Sequence, residues 1–168
     1  MNITITPLGA ADVPRLAEIL RETVAAGGSV HFMDPVPEGA AEAYWAGAVA
    51  DPGRIVLGAF VAGRLEGTVT LWLDTPPNQP FRGEIWKLMV APAMRGKGLA
   101  RALMIEAEGL AAARGRTLLN LDTATEGGAS ELYESMGWTR AGVIPDYAFK
   151  PQGGLVGTAI YWKRLGRV

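Results

Sequence analysis

The chain has 168 residues, 49% of them hydrophobic and 20% charged, with a net charge of −1. That length fits one domain over residues 1–168, able to bury roughly 70% of its unfolded surface. The near-neutral charge supplies no basic field for nucleic acid or an anionic membrane, so neither is an expected partner. The chain has no cysteine, which excludes disulfides, thiolate metal sites and a cysteine nucleophile. The longest apolar run, Ile55 to Ala62, is too short to span a bilayer. The N-terminus lacks a secretory pattern, so the cytoplasm is the expected location.

Asn2 to Thr6 alternates polar and apolar residues, as a half-buried strand does. Asp12 reads as a helix N-cap, and Val13, Leu16, Ile19, Leu20 and Val24 fall on one helical stripe that ends at Gly27-Gly28. A loop to Asp34 leads to a second helix near Glu38 to Val49, and Asp51-Pro52-Gly53 makes a turn. Ile55–Val61 and Leu65–Leu73 flank Ala62-Gly63-Arg64, which predicts a hairpin. Thr75 to Arg82 is a proline-rich surface loop, and Gly83 to Val90 is the central strand. A helix over Gly98–Arg114 and a strand over Thr117–Thr123 complete a right-handed crossover, which makes the two strands parallel neighbours. A short helix, Ala129–Met136, precedes closing strands near Thr139–Ile144 and Thr158–Arg164, which bracket a proline-glycine loop.

The chemistry gathers where the central strand meets its helix. Val90 to Met104 reads V-A-P-A-M-R-G-K-G-L-A-R-A-L-M. Pro92 breaks the strand, and Gly96 and Gly98 lead into the helix, whose free N–H groups and positive end make an anion site. Arg95 and Lys97 add charge. Glycines alone are equally compatible with simple turn geometry. A nicotinamide-binding loop is one alternative, with Asp122 as a ribose partner. Against it, the glycines start several residues beyond the strand and Arg101 occupies the third small position.

The combination Arg95-x-x-Gly98-x-Ala100, with Tyr133 in Leu132-Tyr133-x-x-x-Gly137-Trp138, resembles the acyl-CoA signature and the late tyrosine motif of the GNAT acetyltransferase superfamily. The resemblance implies a mixed α/β (α+β) fold: a mostly antiparallel seven-stranded sheet with a central, splayed parallel pair, flanked by four helices. It implies an acyltransferase using acetyl-CoA, with no metal. The diphosphate would be held by Arg95, Gly96, Lys97, Gly98, Leu99, Ala100 and Arg101, while Leu88, Met89 and Val90 would contact the cofactor and their main-chain amides would face the oxyanion. Tyr133 would protonate the leaving thiolate. Where the superfamily often carries Asn, this chain has Glu126, so Ser130 becomes a substitute cofactor contact.

Transfer to an amine requires a proton acceptor, since alkylamines are protonated near neutral pH. Glu84 and Asp122, one on each of the two parallel strands and able to converge where the strands part, are the candidates. By strand alternation Glu84, Trp86 and Leu88 share a face, unless a bulge intervenes. The loop carrying His31, Phe32 and Asp34, with Trp45, Trp86 and Asp146-Tyr147, is the expected acceptor pocket. Lys87 stands mid-strand among apolar neighbours, with no role evident beyond orienting a carboxylate or phosphate.

A narrower likeness, to the tabtoxin-resistance group of these enzymes, lies in Gly27–Met33, Glu84–Val90, Leu118–Thr123 and Thr158–Lys163. It implies a small polar acceptor with an amine or hydroxyl, including an amino-acid-like or β-lactam toxin or antibiotic. A protein or peptide amine as acceptor, and a CoA-binding module without turnover, are the alternatives. A monomer or a homodimer fits either.

Overall fold

The computed structural model describes residues 1–166, and the last two residues of the expected domain lie outside them. In chain order the elements are β1 (Ile3–Pro7), α1 (Val13–Ala25), α2 (Ala40–Ala50), β2 (Arg54–Val61), β3 (Arg64–Trp72) and β4 (Arg82–Val90). They continue with α3 (Leu99–Ala113), β5 (Leu118–Ala124), α4 (Ala129–Ser135), β6 (Thr139–Phe149) and β7 (Leu155–Arg164). The strands form one sheet in the order β1-β2-β3-β4-β5-β7-β6. Among the described residues only β4 and β5 pair in parallel. A dinucleotide-binding sheet is mostly parallel and doubly wound, so the nicotinamide alternative has no fold to stand on.

Local chemistry explains the boundaries. Pro14 sits in the first turn of α1, where its missing N–H leaves no bond unmade. Asp12 does not cap α1 through its side chain. Its carboxylate instead accepts the Gly9 N–H at 2.9 Å and closes a short 3-10 turn ahead of the helix. Helix α2 begins two residues later than expected, because Gly39 takes a left-handed conformation, φ 73. Ala62 and Gly63 both have positive φ, as a tight hairpin between β2 and β3 requires.

The sheet divides two apolar clusters. On one face Leu99, Leu103, Met104, Ala107 and Ala111 of α3 pack on Val69, Leu71, Ile85, Leu119 and Leu121, with Tyr133 of α4. On the other, α1 and α2 bury Leu16, Ile19, Leu20, Val24 and Trp45 against Val56, Leu65 and Met89.

Two irregularities shape the middle of the sheet. Thr70 pairs with Trp86 but Thr68 pairs with Met89, so β4 carries an extra residue at Lys87-Leu88, where Lys87 has φ 54. This bulge breaks the expected alternation of Glu84, Trp86 and Leu88. Glu84 and Trp86 stay on the α1/α2 face, Leu88 turns to the α3 cluster, and Met89 joins the α1/α2 cluster. The second irregularity is a splay. β4 pairs with β5 only from Arg82 to Glu84, opposite Leu118 to Asn120, while β5 stays on β7 along its whole length.

The closing hairpin is also longer than expected. β6 runs on to Phe149 and β7 starts at Leu155, with a register shift between Ile144 and Ala148 that absorbs Pro145 and the positive φ of Asp146. Alternation cannot locate a strand through such an irregularity, and that is why the loop looked longer in sequence.

Leu103 is fully buried beneath the splayed strands. Leu103→Ala should lower stability by about 2–5 kcal/mol, read as a lower urea midpoint at unchanged m-value. A midpoint within error of the parent chain would contradict this packing.

Candidate active site

Beyond Glu84 the strands diverge, and two connected cavities open there. The larger, about 740 Å³, lies between the end of α1 and the start of α3. The smaller, about 140 Å³, lies deeper, at the bulge. Ser29, Val30, Leu88, Thr123, Ala124, Tyr133 and Val156 line both, so Tyr133 stands at their junction.

The larger cavity is built around helix α3. Gly96 and Gly98 have φ 73 and 86, and a Cβ on either would meet open space, so conformation rather than crowding calls for glycine there. The Ala102 amide bonds to the Gly98 carbonyl at 3.0 Å, which leaves the preceding amides without an intrahelical partner. Arg95, Gly96, Gly98, Leu99, Ala100 and Arg101 form one wall, and Leu88, Met89 and Val90 continue it. Lys97 and Ser130 are not on it. The Lys97 ammonium turns back to the Met94 sulfur at 3.5 Å, and Ser130 lies outside the wall formed by Gly127, Gly128 and Ala129.

Several wall residues are not among the expected cofactor contacts. Thr23 and Gly27-Gly28, at the end of α1, form the opposite side. Lys150 and Glu126 pair across the cavity rim at 3.4 Å. With Arg95 and Arg101 the rim is cationic on balance, which suits a diphosphate.

The smaller cavity holds His31, Trp86, Lys87, Asp122, Tyr133 and Tyr147. Asp122 accepts a hydrogen bond from the Thr158 hydroxyl at 2.9 Å. Tyr133 is buried at 5% exposure. Burial, with the Asp122 charge and the Tyr161 hydroxyl adding to it, raises the Tyr133 hydroxyl above its ordinary value, so it keeps its proton. The ring is fixed by Trp138 and Tyr161 at 6.0 and 5.8 Å.

The two carboxylates named in sequence are in different settings. Glu84 does not line either cavity. Arg82 donates to it and also to Asn120, at 2.6 Å, and the Trp86 indole donates to its other oxygen at 2.8 Å. Trp86 is thereby held on the cavity wall, stacked on Trp72 at 5.2 Å with the Arg54 guanidinium 5.1 Å over its ring.

The expected acceptor residues divide in the same way. Phe32 packs edge-on to Tyr44 at 5.9 Å. Asp34 is bound by Gln152 at 3.1 Å and, through its amide, by the Pro151 carbonyl at 3.0 Å. Asp146 is absent from the wall, while its neighbour Tyr147 forms part of it. Lys87 instead proves central. Its Nζ is 2.6 Å from His31 Nδ1 and 5.2 Å from the Tyr44 ring centre. Burial, helped by Arg54 and opposed by Asp122, lowers its pKa from 10.5 to about 8. Burial and the Lys87 charge lower that of His31, which Asp122 opposes.

The sequence model of the acetyltransferase (GNAT) family matches residues 16–138. Among solved structures, the chain is similar to an N-acetyltransferase from Staphylococcus aureus, with TM-score 0.84 and 18% identity over 99% of this chain and 100% of that one. It is similar to a GNAT superfamily phosphinothricin acetyltransferase from Sinorhizobium meliloti, solved in complex with acetyl-CoA, with TM-score 0.81 and 26% identity over 99% and 90% of the two chains. A ribosomal-protein-alanine N-acetyltransferase from Brucella melitensis matches with TM-score 0.81 and 22% identity over 96% and 99%.

The lowered Lys87 pKa carries a sign for stability. Between about pH 8 and 10.5 the unfolded chain holds a proton that folded Lys87 has shed, so unfolding takes up a proton and this contribution rises with pH. The melting temperature of the parent chain minus that of Lys87→Met should therefore grow from pH 8 to pH 10. A flat or falling difference would contradict the burial assigned to this ammonium.

Proposed function

The chain belongs to the acetyltransferase (GNAT) family, and from that premise we propose that it moves the acetyl group of acetyl-CoA to the amine, or hydroxyl, of a small polar acceptor. One observation carries this. A carboxylate, a protonated buried phenol and an unpaired stretch of β4 main chain meet where a helix-capped cavity joins a smaller one.

In this reading the diphosphate lies against the amides that start α3, with Arg95 and Arg101 beside it. The thioester arm follows Leu88 to Val90, where β4 has no β5 partner. The acceptor enters the smaller cavity between His31, Trp86 and Tyr147. Asp122 accepts the proton of the amine, directly or through one water, and the freed lone pair attacks the thioester carbonyl carbon. Main-chain amides at the bulge stabilise the oxyanion. The C–S bond then breaks, the thiolate takes the Tyr133 proton, and the second proton shed by the nitrogen passes to the Tyr133 phenolate. Asp122 is preferred to Glu84 as base because both Glu84 oxygens are engaged by Arg82 and Trp86. Glu84 positions Trp86.

A small acceptor is favoured by the size of the smaller cavity, about 140 Å³. An extended peptide needs an open groove there. The narrower likeness extends the proposal to an amino-acid-like or β-lactam toxin or antibiotic, handled in the cytoplasm.

Asp122→Asn should lower kcat/KM by about 10²–10⁴-fold with acetyl-CoA still bound, measured by thiol release and calorimetry. Tyr133→Phe keeps the ring packing and should lower kcat about ten-fold or more. Full activity in either variant would remove that residue from its role.

A further inference from the structure

Two side chains in the smaller cavity stand on main chain that L-residues rarely adopt. His31 has φ 71 and Lys87 has φ 54. Such strain persists only where the surrounding structure enforces it, and it gathers at functional sites. Here the two strained residues meet in one contact of 2.6 Å between Lys87 Nζ and His31 Nδ1. The proton and acetyl transfers described above use neither side chain.

The direction of that contact follows from the groups. An ammonium has no lone pair, so it donates, and the imidazole accepts through Nδ1 and carries its hydrogen on Nε2. The pair therefore turns only donors, and one positive charge, toward the cavity. Tyr44 fixes the ammonium from below at 5.2 Å, and its own ring is set by Phe32 and Trp45. Asp122, on the wall of the same cavity, is an acceptor and carries negative charge.

A cavity with opposite charges at two places fits a ligand with the reverse arrangement. A simple alkylammonium would meet Asp122 favourably but also the Lys87 charge, with Arg54 adding to the repulsion behind it. An ammonium with a carboxylate beside it satisfies both. Resting on the acetyl-transfer reading, we infer that Lys87 and His31 read a carboxylate on the acceptor, so that the acceptor is a small amino acid acetylated on its amine. Lys87 and His31 bind the carboxylate, and Asp122 faces the amine.

The test uses the full chain with acetyl-CoA and a panel of free L-amino acids, each beside its α-amide and its decarboxylated amine, with thiol release as the readout. At least one free acid should exceed its amide in kcat/KM by about ten-fold to a hundred-fold, mainly through KM. Lys87→Met should bring that ratio close to one, and Lys87→Arg should restore part of it. His31→Asn, a residue that tolerates positive φ, should lower the ratio as well, which guards against misfolding at the bulge in the Lys87 variants. Amides used as well as acids, or a ratio unchanged in Lys87→Met, would overturn the inference and leave the acetyltransferase reading standing. Acetyl-CoA binding without turnover of any acid, amide or amine would overturn both.

Discussion

The structure depends on a strand that gives up one neighbour partway along. β4 is held by β3 across its bulge, but its pairing with β5 stops after Glu84 and Asn120. Unpaired main chain is unfavourable when buried and useful when a ligand can supply the missing bonds. The sheet survives the break because β5 is bonded to β7 from Leu118 to Ala124, and β3 to β2 along its length. Helix α3 then spans the break, with Leu103 and Met104 packed below it. The gap is therefore a stable feature of the fold rather than a local loosening.

Electrostatics then sorts the side chains at the gap. Glu84 and Asp122 stand on adjacent parallel strands, yet one is consumed by Arg82 and Trp86 while the other meets the cavity with a single Thr158 bond. Burial acts in opposite senses on Tyr133 and Lys87. It holds the proton on Tyr133 and weakens the hold of Lys87 on its own. A phenol that stays protonated and a carboxylate on the same cavity wall are the pairing that the proposed acid–base transfer needs.

Much of this arrangement was legible in the sequence, for identifiable reasons. The turn before α3 announces itself because Pro92, Gly96 and Gly98 are tied to backbone geometry, and the crossover because a strand, a helix and a strand follow one another in that order. Leu132 to Trp138 similarly fixes Tyr133 to a short helix. Alternation could not show the bulge, since one extra residue reverses the facing of everything after it. That is why alternation puts Leu88 beside Trp86 and gives Lys87 no role. The same limit applied at Asp146, where an irregular edge strand presents Tyr147 instead. The far wall at Thr23, Gly27 and Lys150 comes from segments distant in sequence, so only the folded chain brings it near α3. Lys97 and Ser130 fit the expected pattern by position, but their side chains do not reach the wall.

The most direct measurement is a crystal structure of the protein with acetyl-CoA. The account predicts the diphosphate on the amides from Gly96 to Arg101, the thioester beside Leu88 and Tyr133, and the acetyl group directed toward Asp122. A cosubstrate bound elsewhere, or a gap closed by renewed pairing of β4 with β5, would contradict it.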